Sequence, residues 1–181
     1  MLKVNDDGTV EVNKCNKPVY IMLCGLPGAG KTTFRKNLIK NNPQYNFVTI
    51  STDDYIEEQI KDTNIKYKDY YDNLNLYKWR IIHERLKDAT IKAVSNKRNI
   101  IVDSLNLTEK SRLKKTRFIS TDYERIAVVF YINGDRFNTI LKRNETRDIA
   151  RDIPLSKMHD MYNYFEYPKK EDGFFNEIYL V

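Results

Sequence analysis

Eight residues, Gly25-Leu26-Pro27-Gly28-Ala29-Gly30-Lys31-Thr32, follow the pattern G-x-x-x-x-G-K-[ST], a spacing suited to gripping phosphate. Glycines let the backbone curl until successive N–H groups point inward at phosphate oxygens, and a helix starting at the lysine adds its positive end. In that arrangement the Lys31 ammonium reaches the β- and γ-phosphates and the Thr32 hydroxyl holds Mg²⁺, with Thr33 following in the first helical turn. Chance produces the pattern in roughly one chain of this length in a hundred. Here the apolar run Val19 to Leu23 precedes it and the helix-forming stretch Thr33 to Ile39 follows it, which is the context the motif needs.

Acidic positions elsewhere can complete phosphoryl chemistry around such a loop. Moving a phosphoryl group onto a hydroxyl takes positioning, charge neutralisation and a proton acceptor beside the nucleophile. Asp53, in Thr52-Asp53-Asp54-Tyr55, stands at the expected tip of a strand and suits the last of these jobs. Its neighbour Asp54 is expected to cap a following helix. Asp103 closes the run Ile100-Ile101-Val102 and can order Mg²⁺ directly or through water, while Asn106 can hold the loop or touch substrate. Arg143, Arg147 and Arg151 recur at every fourth position and share a face if the segment is helical. Planar guanidinium groups suit phosphates, and one of these can stabilise charge on the group in transfer; taken singly, each reads better as solvated basic surface. His83 and His159 lie in amphipathic patterns and carry no catalytic expectation.

The elements that must position these groups follow from periodicity. Lys17 to Cys24 is nearly continuously apolar, as a strand buried on both faces is. After the break at Asn42-Pro43, Tyr45 to Ser51 reads as a second strand, Asn99 to Asp103 as a third, Glu124 to Ile132 as a fourth and Glu177 to Val181 as the last. Between them lies a long helix with Leu76, Trp79, Ile82, Leu86, Ala89 and Ala93 on one face, a stripe that reads as core rather than as a base-stacking platform. Further helices are capped by Thr108, opened by Gly134-Asp135 with Phe137, Ile140 and Leu141 inside, and started by Pro154. Residues 1–16 read as an accessory hairpin, with Val4 before and Val10 and Val12 after the turn signal Asn5-Asp6-Asp7-Gly8. The alternation predicts an α/β fold: βαβ units in a parallel sheet of about five strands flanked by helices, with ligands beyond the strands' carboxyl ends. The glycine loop, Asp53 and Asp103 then converge by topology.

With 181 residues and 41% hydrophobic content, the chain is expected to fold as a single domain over residues 1–181. The formal charge of +6 favours anionic partners such as nucleotides or nucleic acid. Cys15 and Cys24 make neither a disulfide framework nor a common metal motif, and Cys24 is expected to pack as a small apolar residue. No apolar run reaches membrane-spanning length, and Met1 to Asp7 lacks the charged end and apolar block of a signal peptide, so a soluble, cytoplasmic protein is expected.

Taken together, these residues resemble the P-loop kinases of the polynucleotide 5′-hydroxyl kinase type, the group that includes the kinase part of the bacteriophage polynucleotide kinase-phosphatase. The likeness runs over nearly all of the chain after residue 17. It rests on the order of GLPGAGKTT, TDDY at 52–55, IIVDSLNLT at 100–108, KRNETR at 142–147, Ile153-Pro154, and Phe165-Glu166-Tyr167-Pro168 ahead of Glu171-Asp172-Gly173-Phe174. The resemblance implies a P-loop NTPase fold with an arginine-bearing lid, ATP as phosphate donor, Mg²⁺, and a nucleic-acid 5′-hydroxyl end as acceptor. It implies Asp53 as general base, Arg147 on the lid against the donor phosphates with Arg143 as a second candidate, Lys31 and Thr32 in the loop, and Asp103 as the acidic strand end. The nucleotide contacts it implies are Gly25, Leu26, Pro27, Gly28, Ala29, Gly30, Lys31, Thr32, Thr33 and Arg143.

The bacteriophage representative carries an arginine on each side of the D-D-Y motif, the second of them binding acceptor phosphate, whereas Thr52 and Ile56 stand at those places here. Two other readings therefore stay open. One is a kinase for a nucleoside, nucleotide, sugar or hydroxymethyl base; the other is a nucleotide-hydrolysing switch that moves no phosphate to an acceptor.

Overall fold

The structure, a computed structural model, describes residues 2–4, 10–12, 16–146 and 153–181. Strands β1 (Leu2–Val4) and β2 (Val10–Val12) pair as an antiparallel hairpin, whose connecting residues lie outside the described ones. A parallel sheet is built from β3 (Val19–Cys24), β4 (Val48–Ser51), β5 (Ile100–Asp103), β6 (Glu124–Val129) and β7 (Glu177–Leu180), in the spatial order β4-β5-β3-β6-β7. Helices α1 (Lys31–Asn41), α2 (Thr52–Ile60), α3 (Tyr67–Asp72), α4 (Leu76–Ser95), α5 (Glu109–Thr116), α6 (Asp135–Glu145) and α7 (Leu155–Asn163) connect and flank it. Among the described residues no helix is long and apolar enough to cross a membrane.

All six residues of β3 are buried, which fits its central place between β5 and β6. Tyr20, Met22 and Cys24 join Ile100, Val102, Ala127 and Val129 on one face, where Leu86, Ala93 and Val94 of α4 cover them. Val19, Ile21 and Leu23 join Ile101, Ile126 and Val128 on the other, under Phe34 and Leu38 of α1 and under Leu2, Val10 and Val12 of the hairpin. Burial is worth about 1.5–3 kcal/mol for an aliphatic side chain, so β3 anchors both layers. Buried Asn42 ties the hairpin down: its Oδ1 accepts from the Val12 amide at 3.0 Å, and its Nδ2 donates to the carbonyls of Val10 at 2.7 Å and Leu38 at 2.8 Å.

Because β4 and β5 lie to one side of β3 and β6 and β7 to the other, the order reverses at β3, and a crevice opens at its carboxyl end. Register sets what meets there: Asp103 is level with Leu23 on one neighbour and Ser51 on the other.

Two expectations need correction. Pro43–Tyr45 form a 3₁₀ turn, which shortens the second strand to Val48–Ser51, and the chain becomes helical at Thr52 because the Ser51 Oγ accepts from the Asp54 amide at 3.2 Å. On α4, Leu86, Ala93 and Val94 lie over the sheet and Ile82, Thr90 and Ala93 are buried, whereas Ala89 is exposed and Leu76 is 90% exposed.

Candidate active site

The chain leaves β3 at Cys24 and curls through Gly25, Leu26, Pro27, Gly28, Ala29 and Gly30 before α1 begins at Lys31. The Gly25 amide donates to the Leu105 carbonyl at 3.0 Å, and the Ala29 amide donates to the Leu26 carbonyl at 3.2 Å. Gly28 and Gly30 take φ angles of 79° and 104°, in the left-handed region that strains any side chain. No side chain caps α1, and the positive end of the helix faces the loop, a setting suited to an anion. Lys31 is buried, and its ammonium donates to the carbonyls of Gly25 at 2.9 Å and Leu26 at 2.7 Å, which hold it against the loop.

A Cβ at Gly25 would stand 2.9 Å from the Phe130 Cβ, the rigid root of that side chain. Gly25→Ala is therefore expected to lower stability by about 1–3 kcal/mol and to weaken nucleotide binding as the loop shifts. Thermal melting and a nucleotide titration check this, and an unchanged Tm refutes the clash.

Beyond the loop, one arginine ties three elements together. Asp103 Oδ2 accepts from Thr32 Oγ1 at 3.1 Å and pairs with Arg35 Nε at 3.1 Å. Arg35, one turn after Lys31 on α1, is 6% exposed. Its far edge meets Asp54 in a two-pronged pair, NH2 to Oδ1 at 3.0 Å and NH1 to Oδ2. Such a fork is strong and geometrically exacting, so it fixes β5, α1 and α2 relative to one another. Burial raises the Asp103 carboxyl above the usual range, against the pull of Arg35, Lys31 and the Thr32 hydroxyl. For Arg35, burial works downward, but the Asp54 hydrogen bond and the charges of Asp103, Asp54 and Asp53 leave it raised.

The two adjacent acids therefore differ in kind. Asp54, expected as a helix cap, is the partner of Arg35, and Ser51 does the capping. Asp53 lies in the first turn of α2 rather than at a strand tip, and is exposed. The Tyr67 hydroxyl donates to its Oδ1 at 2.8 Å. Asp53 is close enough to Asp103, Arg35 and Tyr71 for its charge to act on all three.

Asn106 holds the foot of the loop: with φ at 50°, its Nδ2 donates to the carbonyls of Leu23 at 2.6 Å and Ser104 at 3.3 Å. Its Oδ1 accepts from Lys115 Nζ at 2.5 Å, and burial pushes that lysine down to about 8. Burial pushes the Cys24 thiol up to about 12, which makes it a packing residue. Arg143, exposed on the last turn of α6, stands beside the loop, its Cβ 3.8 Å from where a Cβ on Gly28 would lie. Arg147, the expected lid arginine, and Arg151, the last of the arginine series, lie outside the described residues.

Mg²⁺ takes hard oxygen ligands and keeps several waters. The Thr32 hydroxyl and the Asp103 carboxylate, adjacent beside the loop, fit such an ion. Among the described residues no group of three or more His, Cys, Asp or Glu makes a separate metal cage.

Sequence reasoning missed Arg35 and Tyr67. A signal for Arg35 exists: Lys31, Arg35 and Leu38 are the buried positions of α1, so a charged residue occupies the helix's inward face. Tyr67 falls in a polar stretch with no periodicity to mark it.

Residues 20–168 match the family described as AAA domain. The L-seryl-tRNA(Sec) kinase of Methanococcus maripaludis is 30% identical over 152 residues, covering 83% of this chain and 53% of that protein. The uridine kinase of Ureaplasma urealyticum is 28% identical over 126 residues, covering 68% and 58% respectively. The chain thus spans little more than half the length of these relatives. A chain in the structure of the Pnkp1/Rnl/Hen1 RNA repair complex superposes with a TM-score of 0.67 at 20% identity, over 88% of this chain and 47% of that one, a likeness of fold.

Proposed function

We propose a function from the premise that this chain belongs to the AAA domain family, matched over residues 20–168: it moves the γ-phosphate of ATP to an acceptor hydroxyl, the 5′-hydroxyl end of DNA or RNA. Both relatives above are named as kinases, one of L-seryl-tRNA(Sec) and one of uridine, which supports phosphoryl transfer to a hydroxyl. The observation that carries the reading is the split between the paired acids. Arg35 neutralises Asp54, while Asp53 stays at the surface with a hydroxyl donor, beside the Thr32–Asp103 pair.

In this mechanism the loop amides and Lys31 grip the β- and γ-phosphates. The acceptor oxygen gives its proton to Asp53 as it bonds to the γ-phosphorus, and the bond from that phosphorus to the bridging oxygen breaks. A phosphomonoester and ADP leave, and Asp53 returns the proton to solvent. Tyr67 orients the carboxylate through Oδ1, and a carboxylate has lone pairs to spare for the acceptor. Arg143, with Arg147 by resemblance, balances charge on the transferring group. Thr32 and Asp103 would hold Mg²⁺, which when bound neutralises phosphate charge. Arg35 keeps Asp103 in place.

One observation favours a second reading, a small-molecule acceptor: Ile56 is fully buried, so the place that holds a phosphate-binding arginine in the bacteriophage representative is a core position here. Incubation with γ-labelled ATP and a panel of 5′-hydroxyl oligonucleotides, nucleosides and sugars decides. Label on oligonucleotide ends supports the first reading, and label on nucleosides or sugars alone replaces it with the second. ATP consumption with no labelled acceptor identifies a hydrolytic switch.

A further inference from the structure

We infer that the rings of Tyr67, Tyr71, Trp79 and His83 form the surface that grips the acceptor, on which bases at the end of a single-stranded nucleic acid stack while the terminal hydroxyl lies at Asp53. The inference rests on the phosphotransfer reading above and adds to it the means of holding the acceptor.

The four rings follow one another. Tyr67 and Tyr71 are stacked at 6.0 Å between centroids, Tyr71 meets Trp79 edge-on at 5.5 Å, and Trp79 stacks on His83 at 5.8 Å. None of the four belongs to the three apolar clusters that form the core. Tyr71 is 44% exposed, His83 is exposed, and Trp79 is half-buried. This corrects the expectation that Trp79 is a core residue: the part of α4 that carries it overhangs the sheet. The row begins at the candidate base, where Tyr67 donates to Asp53. Burial, and after it the Asp53 charge, raises the Tyr71 hydroxyl, which places that ring near the same carboxylate.

The charges along the row argue for a strand rather than a lone nucleoside. At its far end burial lowers the His83 imidazole, and Lys114 and Lys115 of α5 lower it further, against Glu84 on α4. The row thus has the carboxylates of Asp53 and Asp72 at one end and Lys114 at the other, Lys115 being held by Asn106. A strand terminus that bears a hydroxyl and no phosphate suits the Asp53 end, and the phosphodiesters that follow suit the lysine end. Aromatic platforms with basic flanks hold single strands because every base has a π-face. With Ile56 buried, the grip must come from somewhere other than the residue after the D-D-Y motif.

Trp79 is the sole tryptophan of the chain, so its fluorescence reports directly on the platform. Titration with a 5′-hydroxyl single-stranded decanucleotide, without ATP, is expected to quench it. The Kd is expected to rise about tenfold in Tyr71→Ala and to stay near wild type in Tyr71→Phe, which keeps the ring. Lys114→Glu is expected to weaken binding and flatten its salt dependence. In labelled transfer, Trp79→Leu is expected to raise KM for the oligonucleotide and not for ATP. Absence of quenching, an unchanged Kd in Tyr71→Ala, or uridine binding as tightly as the decanucleotide overturns the inference. Transfer to oligonucleotides without quenching removes the platform and leaves the phosphotransfer reading standing. Quenching with the expected variant effects but no transfer to any acceptor removes that reading alone and leaves a strand-binding surface.

Discussion

Asp53→Asn is expected to slow phosphoryl transfer by about three orders of magnitude, within the range that removal of a general base produces, while ATP affinity and Tm stay near wild type. The substitution keeps the shape of the side chain and an oxygen to accept the Tyr67 hydroxyl, so it removes little besides the capacity to take a proton. Asp54→Asn offers the contrast. It breaks a charged fork to Arg35 and should show first as lost stability. Single-turnover transfer with saturating ATP separates the two. If Asp53→Asn turns over within tenfold of wild type, Asp53 is not the base.

The second large effect is on folding. Arg35→Met is expected to cost about 3 kcal/mol, the lower end of what removing one partner of a buried ion pair costs. The lower end applies because the side chain of Asp54 is 46% exposed and solvent screens it, whereas Asp103 is buried at 7%. The loss should also depend on pH, with a definite sign. Burial already sets the Asp103 carboxyl above its unfolded value of 3.8. The folded state therefore binds more protons across the window above that value, and stability falls as pH rises through it. Arg35 is the foremost influence opposing this rise, so its removal widens the window toward neutrality. The difference between wild type and variant is expected to grow from about pH 4 to about pH 7. Denaturant melts at both values check it; equal losses at the two would mean that packing of the side chain, not its charge, is what matters.

What was legible in the residues was whatever a local pattern could carry. The glycine loop announces itself because phosphate cradling needs those residue types at that spacing, and β3, β5 and β6 announce themselves because strands buried on both faces carry apolar runs, Ile100 to Val102 in β5 and Ile126 to Val129 in β6. Strand order was not legible, since alternating strands and helices fit several arrangements. Asp53 was found as a candidate but placed on the wrong element, because Ser51 reads as the end of a β run until its hydroxyl is seen capping α2. The stripe on α4 misled because helical periodicity marks a face without saying how much of it has a neighbour. Arg35 was passed over because an arginine in a helix is ordinarily surface; only the meeting of Asp54 and Asp103 makes its inward position sensible.

The central place of β3 has a consequence for how the molecule comes to be made. Both of its hydrogen-bonding neighbours, β5 and β6, belong to the second half of the chain. As synthesis proceeds, Val19 to Cys24 emerges before either of them, an unbroken apolar segment with no partner yet available. Contacts between such remote segments form slowly, and an unpaired strand of this kind is a seed for clumping with other unfinished copies. Truncation before β6 should therefore give insoluble material rather than a smaller folded domain, and expression yield should be set by how fast the later strands arrive.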